Sequence, residues 1–153
     1  MNSDLSSLIK SNARIKVSST LDKSVGKKNL IDGSPETCWT SQQGLPQYIH
    51  VIFDSPVVPK MLCLTFQGGF VGQRCRIDVL PVVSESTGTE KPTLKELTTI
   101  YPEDVNRSQS FDLSGAGSIE EMMLIFEESS DFFGRITVYD MRIEGQLMTD
   151  TDT

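Results

Sequence analysis

His50 is the only imidazole in the sequence, so any general base that titrates near neutral pH must be built on it. It stands between Ile49 and Val51. No G-x-S-x-G elbow, phosphate-cradling glycine loop or metal-hydrolase pair accompanies it, and it reads as a strand histidine without chemistry. The adjacent carboxylates Glu120-Glu121 and Glu127-Glu128 point to opposite faces of a strand, so neither pair makes an acid–base couple. Cysteines are three, Cys38, Cys63 and Cys75, an odd and scattered set. Cys63 and Cys75 lie in apolar runs, where a thiol behaves as a small core residue. No CxxC spacing suggests zinc or a redox pair, and a disulfide framework is not expected. No catalytic residue is assigned, and the chain is expected not to be an enzyme.

The elements that must position any site are short strands. Ile15-Lys16-Val17 alternates apolar with polar, and Cys75, Ile77 and Val79 alternate with Arg74, Arg76 and Asp78, the period-2 mark of half-buried strands. Further strands are read at Tyr48–Phe53, Met61–Phe66, Leu97–Tyr101, Gln109–Leu113, Met122–Phe126 and Ile136–Glu144, separated by Pro and Gly. In the last of these the apolar positions shift from Ile136 and Val138 to Tyr139, Met141 and Ile143. A β-bulge near Tyr139 reconciles the two registers. Helix signals are sparse: Leu21–Ile31 can hold one turn, and Lys91–Leu97 is equivocal. Many short strands without alternating helices predict an all-β fold, an antiparallel β-sandwich of jelly-roll type.

The 153 residues, 37% apolar and 23% charged, suit one globular domain that needs no staple to fold. That domain is read over 13–146, with a flexible lead-in at 1–12 and a flexible acidic tail at 147–153. The first residues lack a basic region followed by an apolar run, so the protein is expected not to be secreted. The net charge of −7 disfavours nucleic acid and anionic membrane as partners. A protein, a neutral ligand or a cation remains.

One segment is more specific: Asn29-Leu30-Ile31-Asp32-Gly33-Ser34-Pro35-Glu36-Thr37-Cys38-Trp39-Thr40. Asp32-Gly33 marks a tight turn, Pro35 fixes the next φ, and Trp39 is the only tryptophan and the largest apolar anchor. On residue chemistry alone, Asp32 and Thr37 are either turn residues bonding their own backbone or oxygen ligands of a hard cation. This segment, the Gln47–Phe53 strand and the closing Arg135–Gly145 run resemble, in order, the three motifs of the discoidin, or coagulation-factor C-type, domains within the galactose-binding-like jelly rolls. The resemblance covers roughly residues 12–146.

It implies a structural Ca2+ held by Asn29 and Ser34 through carbonyls, Asp32 through its carboxylate, Thr37 through carbonyl and hydroxyl, and Glu144 through its carboxylate. Ser34 stands where relatives often carry Asp or Asn, and no Cys lies near either end to form the clasp of secreted members. Lipid-binding relatives project apolar residues from loop tips. Phe70 and Val71 are the matching pair here, either a partner-binding spike or a pair tucked under its loop. Among intracellular branches of the fold, the chain is similar to small nuclear-receptor-associated proteins. That similarity implies a protein partner, a testicular orphan nuclear receptor, whose transcriptional activity is repressed. The location it implies is nuclear, or nuclear and cytoplasmic. The alternative is a calcium-dependent carbohydrate- or other ligand-binding module.

Overall fold

A computed structural model of the chain describes residue 9, residues 12–82 and 93–148, and the backbone of Ser3–Asp4. Among the described residues nine strands run β1 Ser3–Asp4, β2 Ala13–Val17, β3 Trp39–Thr40, β4 Gln47–Phe66, β5 Gly72–Pro81, β6 Lys95–Ile100, β7 Ser108–Asp112, β8 Ile119–Ser129 and β9 Thr137–Leu147. All pairings are antiparallel. Two short 3-10 turns, Lys23–Val25 and Lys27–Leu30, stand where a single turn was expected.

The 20-residue β4 organises the sandwich. Its first part, from Gln47, pairs with β2 and β8, and its later part, to Phe66, pairs with β7 and β9. Sequence reading broke this element at Asp54-Ser55-Pro56. Proline cannot donate to a ladder, yet the backbone continues through that bend and carries the strand from one sheet to the other. One sheet is therefore β2-β4-β8-β5-β6, and the other is β7-β4-β9 with β1 and β3 along the far edge of β9.

Burial follows the pleat. Ile49, Val51 and Phe53 face inward on the first part of β4, and Leu62, Leu64 and Phe66 on the second. The change from odd to even numbers falls where Pro59 pairs with Gly145 and Met61 with Glu144, so Lys60 is the extra residue of a bulge. The bulge expected near Tyr139 is present: Thr65 pairs with Asp140 and Phe66 with Val138, leaving Tyr139 unopposed. Both sheets contribute to one core, and Phe66 meets Phe126 edge to face across it at 5.8 Å.

Three expectations need correction. Ser3–Asp4 pairs with Glu144–Gly145, and Ile9 is fully buried, so at these positions the lead-in belongs to the domain. A pairing two residues long has no period to read from sequence. Lys95–Ile100, partly inside the equivocal stretch, is an edge strand on β5. The flexible tail read at 147–153 starts too early, since Leu147 ends β9 opposite Val57 and packs against the core; residues 149–153 lie outside the described residues.

Candidate interaction surface at the loop end

Five loops leave the sandwich at the same end. The register requires it: Gln47 pairs with Phe126, Gly72 with Ser129, Cys75 with Ile100, Thr65 with Ser108 and Val17 with Ile49. Loops 18–22, 41–46, 67–71, 101–107 and 130–136 therefore sit side by side. Among the described residues, six large apolar side chains are exposed, and five belong to this end: Phe132 (94%), Tyr101 (67%), Phe133 (53%), Leu21 (43%) and Leu45 (43%). The sixth, Met148, follows β9 at the opposite end. Scattered apolar side chains are ordinary on a surface, but several gathered at one end mark a place that something else covers.

Polar bonds hold these loops in place. Gln47 is buried, and its amide oxygen accepts from the Ser18 and Ser19 hydroxyls at 2.5 and 2.7 Å. Its Nε2 donates to the carbonyls of Gly44 and Gln42 at 2.7 and 3.2 Å. One side chain thus ties two loops together. Trp39 anchors the same region from below, fully buried, with its indole N–H donating to the Ser19 carbonyl at 3.0 Å. The Gly44 N–H donates to the Phe133 carbonyl at 2.8 Å. Gly134 follows with φ of 82°, and a Cβ there would stand 3.1 Å from both Gly44 N and Leu45 Cγ. Only glycine gives both the left-handed conformation and the close approach.

Arg135 is the polar centre of this end. Its guanidinium donates to Asp131 at 2.9 and 3.3 Å and lies 5.1 Å from the Phe70 ring centroid and 5.8 Å from that of Phe133. Hydrogen bonds from Arg135 hold the Asp131 carboxyl below its ordinary 3.8. Phe132 meets Phe133 edge to face at 5.2 Å. The result is a fixed aromatic and guanidinium platform, suited to apolar and planar groups.

Of the two readings of Phe70 and Val71, a partner-binding spike or a pair tucked under its loop, the burial fits the tucked pair. Val71 is fully buried and exchanges hydrogen bonds with Ser130, while Phe70 is half-buried under Arg135. The exposed pair is Phe132-Phe133, which sequence reading missed. Its signal was two adjacent aromatics inside Ser129-Ser130-Asp131-Phe132-Phe133-Gly134, a turn with no alternation to carry them inward.

The residues expected to hold Ca2+ divide. Asn29, Asp32, Ser34 and Thr37 share one loop. Asp32 Oδ1 accepts from the Ser34 N–H at 2.9 Å and Oδ2 from the Thr37 hydroxyl at 2.5 Å. The Asn29 amide donates to the Cys38 and Ser24 carbonyls at 2.8 and 3.0 Å. Glu144 lies on β9 opposite Asp4, with its carboxylate 3.6 Å from Arg142 Nε. β3 runs beside β9 with Trp39 opposite Val138 and Thr40 opposite Thr137. Glu144 stands six residues beyond Val138 along β9, ~20 Å from the point where β3 pairs with that strand. The loop's oxygens suit a hard cation. Among the described residues, no group of three or more His, Cys, Asp or Glu could hold a metal ion.

His50 lies on the outer face of the β2-β4-β8-β5-β6 sheet with Nε2 2.7 Å from Glu121 Oε1. Its neighbours across the strands are Lys16 and Met123, and neither carries a hydroxyl or thiol for an imidazole base to activate.

No protein-family model matches the chain. Curated relatives do. The sequence is 38% identical over 144 residues to the nuclear receptor 2C2-associated protein of Danio rerio, covering 92% of this chain and 96% of that protein. It is 35% identical over 134 residues to the human protein of that name, covering 86% of this chain and 90% of the relative. The chain belongs to the nuclear receptor 2C2-associated protein family. Among solved structures, a family 32 carbohydrate-binding module from Clostridium perfringens in complex with galactose superposes with a TM-score of 0.73 at 12% identity, over 94% of this chain and 99% of that one. The C-terminal domain of a chitobiase from Bacteroides fragilis gives 0.73 at 15% identity, over 96% and 100%. These place the chain on the galactose-binding-like jelly roll, and at such identity they speak for the fold alone.

Proposed function

We propose that the chain is a non-catalytic protein-interaction module whose loop end binds a nuclear receptor of the 2C2 kind, in the nucleus, and thereby represses transcription. The observation that carries this reading is the gathering of Phe132, Phe133, Tyr101, Leu45 and Leu21 at one end of a rigid sandwich. Exposed aromatics beside a positioned arginine are what protein-binding hot spots are made of. The names of the relatives supply the class of partner. The His50–Glu121 pair lies on a flat sheet face and is given no catalytic part.

The test is a titration of purified receptor against the wild-type chain and against Phe132→Ser and Phe133→Ser, each checked for unchanged folding. Both side chains project into solvent, so the variants should fold normally and bind at least about tenfold more weakly. A reporter driven by the receptor should lose its repression in parallel. Unchanged affinity in both variants would move the interface elsewhere. Binding of a glycan by the wild type, with none of receptor, would favour the carbohydrate reading instead.

A further inference from the structure

The outer face of the β2-β4-β8-β5-β6 sheet is not the polar face that a solvated antiparallel sheet ordinarily shows. With Ile15, Ile49, Val51, Met122, Leu124, Cys75, Ile77 and Val79 turned inward, the alternate positions form three rows across the strands. One row is Arg14-Ile52-Glu121-Leu80. The next is Lys16-His50-Met123-Asp78-Glu96, and the third is Tyr48-Ile125-Arg76-Thr99. Apolar side chains thus run through the middle of the face. The basic residues of β2 lie along one edge, and Asp78 and Glu96 lie toward the other.

We propose that this face binds a second copy of the same chain, through a two-fold axis parallel to the strands and passing over β8. The rows are complementary to themselves under that operation. Rotation by a half turn about such an axis reverses the strand order while keeping each row opposite itself. Lys16 then faces Glu96 of the second copy, His50 faces Asp78, Tyr48 faces Arg76 and Ile52 faces Leu80. Met123 and Ile125 each meet their own equivalents. An isologous interface requires this reciprocity, and alternative placements lose it: an axis across the strands sets Lys16 of β2 against Lys16. Two like pairs lie on the axis, Glu121 against Glu121 and, one row beyond, Glu127 against Glu127; in its own chain Glu121 is held by His50 at 2.7 Å and Glu127 by Arg74 at 3.2 Å and Arg76 at 3.7 Å. Arg76 likewise keeps Asp78 at 3.1 Å in its own chain and adds a ring from the second copy.

The size of the face sets the strength. Five strands at ~4.8 Å spacing and three rows at ~6.6 Å give a flat footprint of about 500 Å2 per copy. That is the low end for specific association, so the dimer is weak and reversible. The loop end stays clear of it, because those loops leave from the ends of the strands.

Sedimentation equilibrium on the full chain, from a few to several hundred micromolar, tests this. The wild type should move from monomer to dimer across that range. Lys16→Glu should raise the dissociation constant about tenfold, as should Glu96→Lys, and the double exchange should restore it. Met123→Glu, on the same outward face, should abolish the dimer while leaving the melting temperature nearly unchanged. A wild type that stays monomeric throughout overturns the proposal, as does a double exchange no better than its single variants. If Met123→Glu abolished receptor binding in a chain that is always monomeric, the face would belong to the receptor and the dimer would be refuted.

Discussion

Removal of the Trp39 side chain tests how the loop end is tied to the core. Trp39 is fully buried, pairs through its backbone with Val138, and donates its indole N–H to the Ser19 carbonyl. A buried tryptophan hides ~150–250 Å2, which at ~25 cal/mol per Å2 is worth about 4–6 kcal/mol. A partly compact unfolded state lowers that by up to about a third, giving about 3–5 kcal/mol for Trp39→Ala, in line with aromatic truncations elsewhere. Trp39→Phe keeps a ring but leaves the Ser19 carbonyl without its donor, a loss of about 1–3 kcal/mol. With a urea m-value of roughly 2 kcal/mol per molar, the unfolding midpoints should fall by about 2 M and about 1 M. Circular dichroism follows the variants, and emission of the single tryptophan follows the wild type. A Trp39→Ala midpoint equal to the wild type would refute the burial argument and place the indole at the surface. A Trp39→Phe midpoint equal to the wild type would remove the indole–Ser19 bond from the account.

Gln47→Leu, which matches the volume but gives up four hydrogen bonds, should cost about 2–4 kcal/mol and loosen loops 18–20 and 42–44, read as faster amide exchange there with β5–β8 amides unchanged. Gly145→Ala should cost at least about 2 kcal/mol in thermal melts, because its Cβ would lie 2.9 Å from Pro59 Cα and closer still to the Val58 carbonyl oxygen, both backbone atoms. For the proposed Ca2+ loop, millimolar calcium should raise the wild-type melting temperature relative to chelator and leave Asp32→Ala unmoved. Equal wild-type melting in both buffers would leave Asp32 and Thr37 as turn residues.

The fold was legible where one period governed a strand. The Tyr139 bulge could be read because the apolar parity changes between Val138 and Met141, and a pleat admits only one remedy for that. The continuity of β4 was not legible: Pro56 and Pro59 speak locally for a break, and only pairing with β9 and β8 shows that the strand crosses between sheets. The site divided in the same way. The Asp32-Gly33 turn announces itself through φ and hydrogen-bonding chemistry, whereas the inward or outward fate of an apolar pair in a loop depends on what the next loop covers. Phe70-Val71 and Phe132-Phe133 look alike in sequence, and Arg135 with Ser130 decides between them. Glu144 entered through the family resemblance, and how near it comes to the Asp32 loop is a matter of tertiary register, set by β3 pairing with β9 at Thr137 and Val138, that no local motif encodes.

Amide hydrogen exchange on the chain with and without bound receptor tests the central claim most directly, since it reports which surface the partner covers. The account predicts slowed exchange on complex formation in segments 41–46 and 130–136, with little change across β7 and the Ser114–Gly117 turn at the opposite end. Protection confined to that opposite end, with the Phe132–Arg135 amides exchanging as fast as in the free chain, would contradict it.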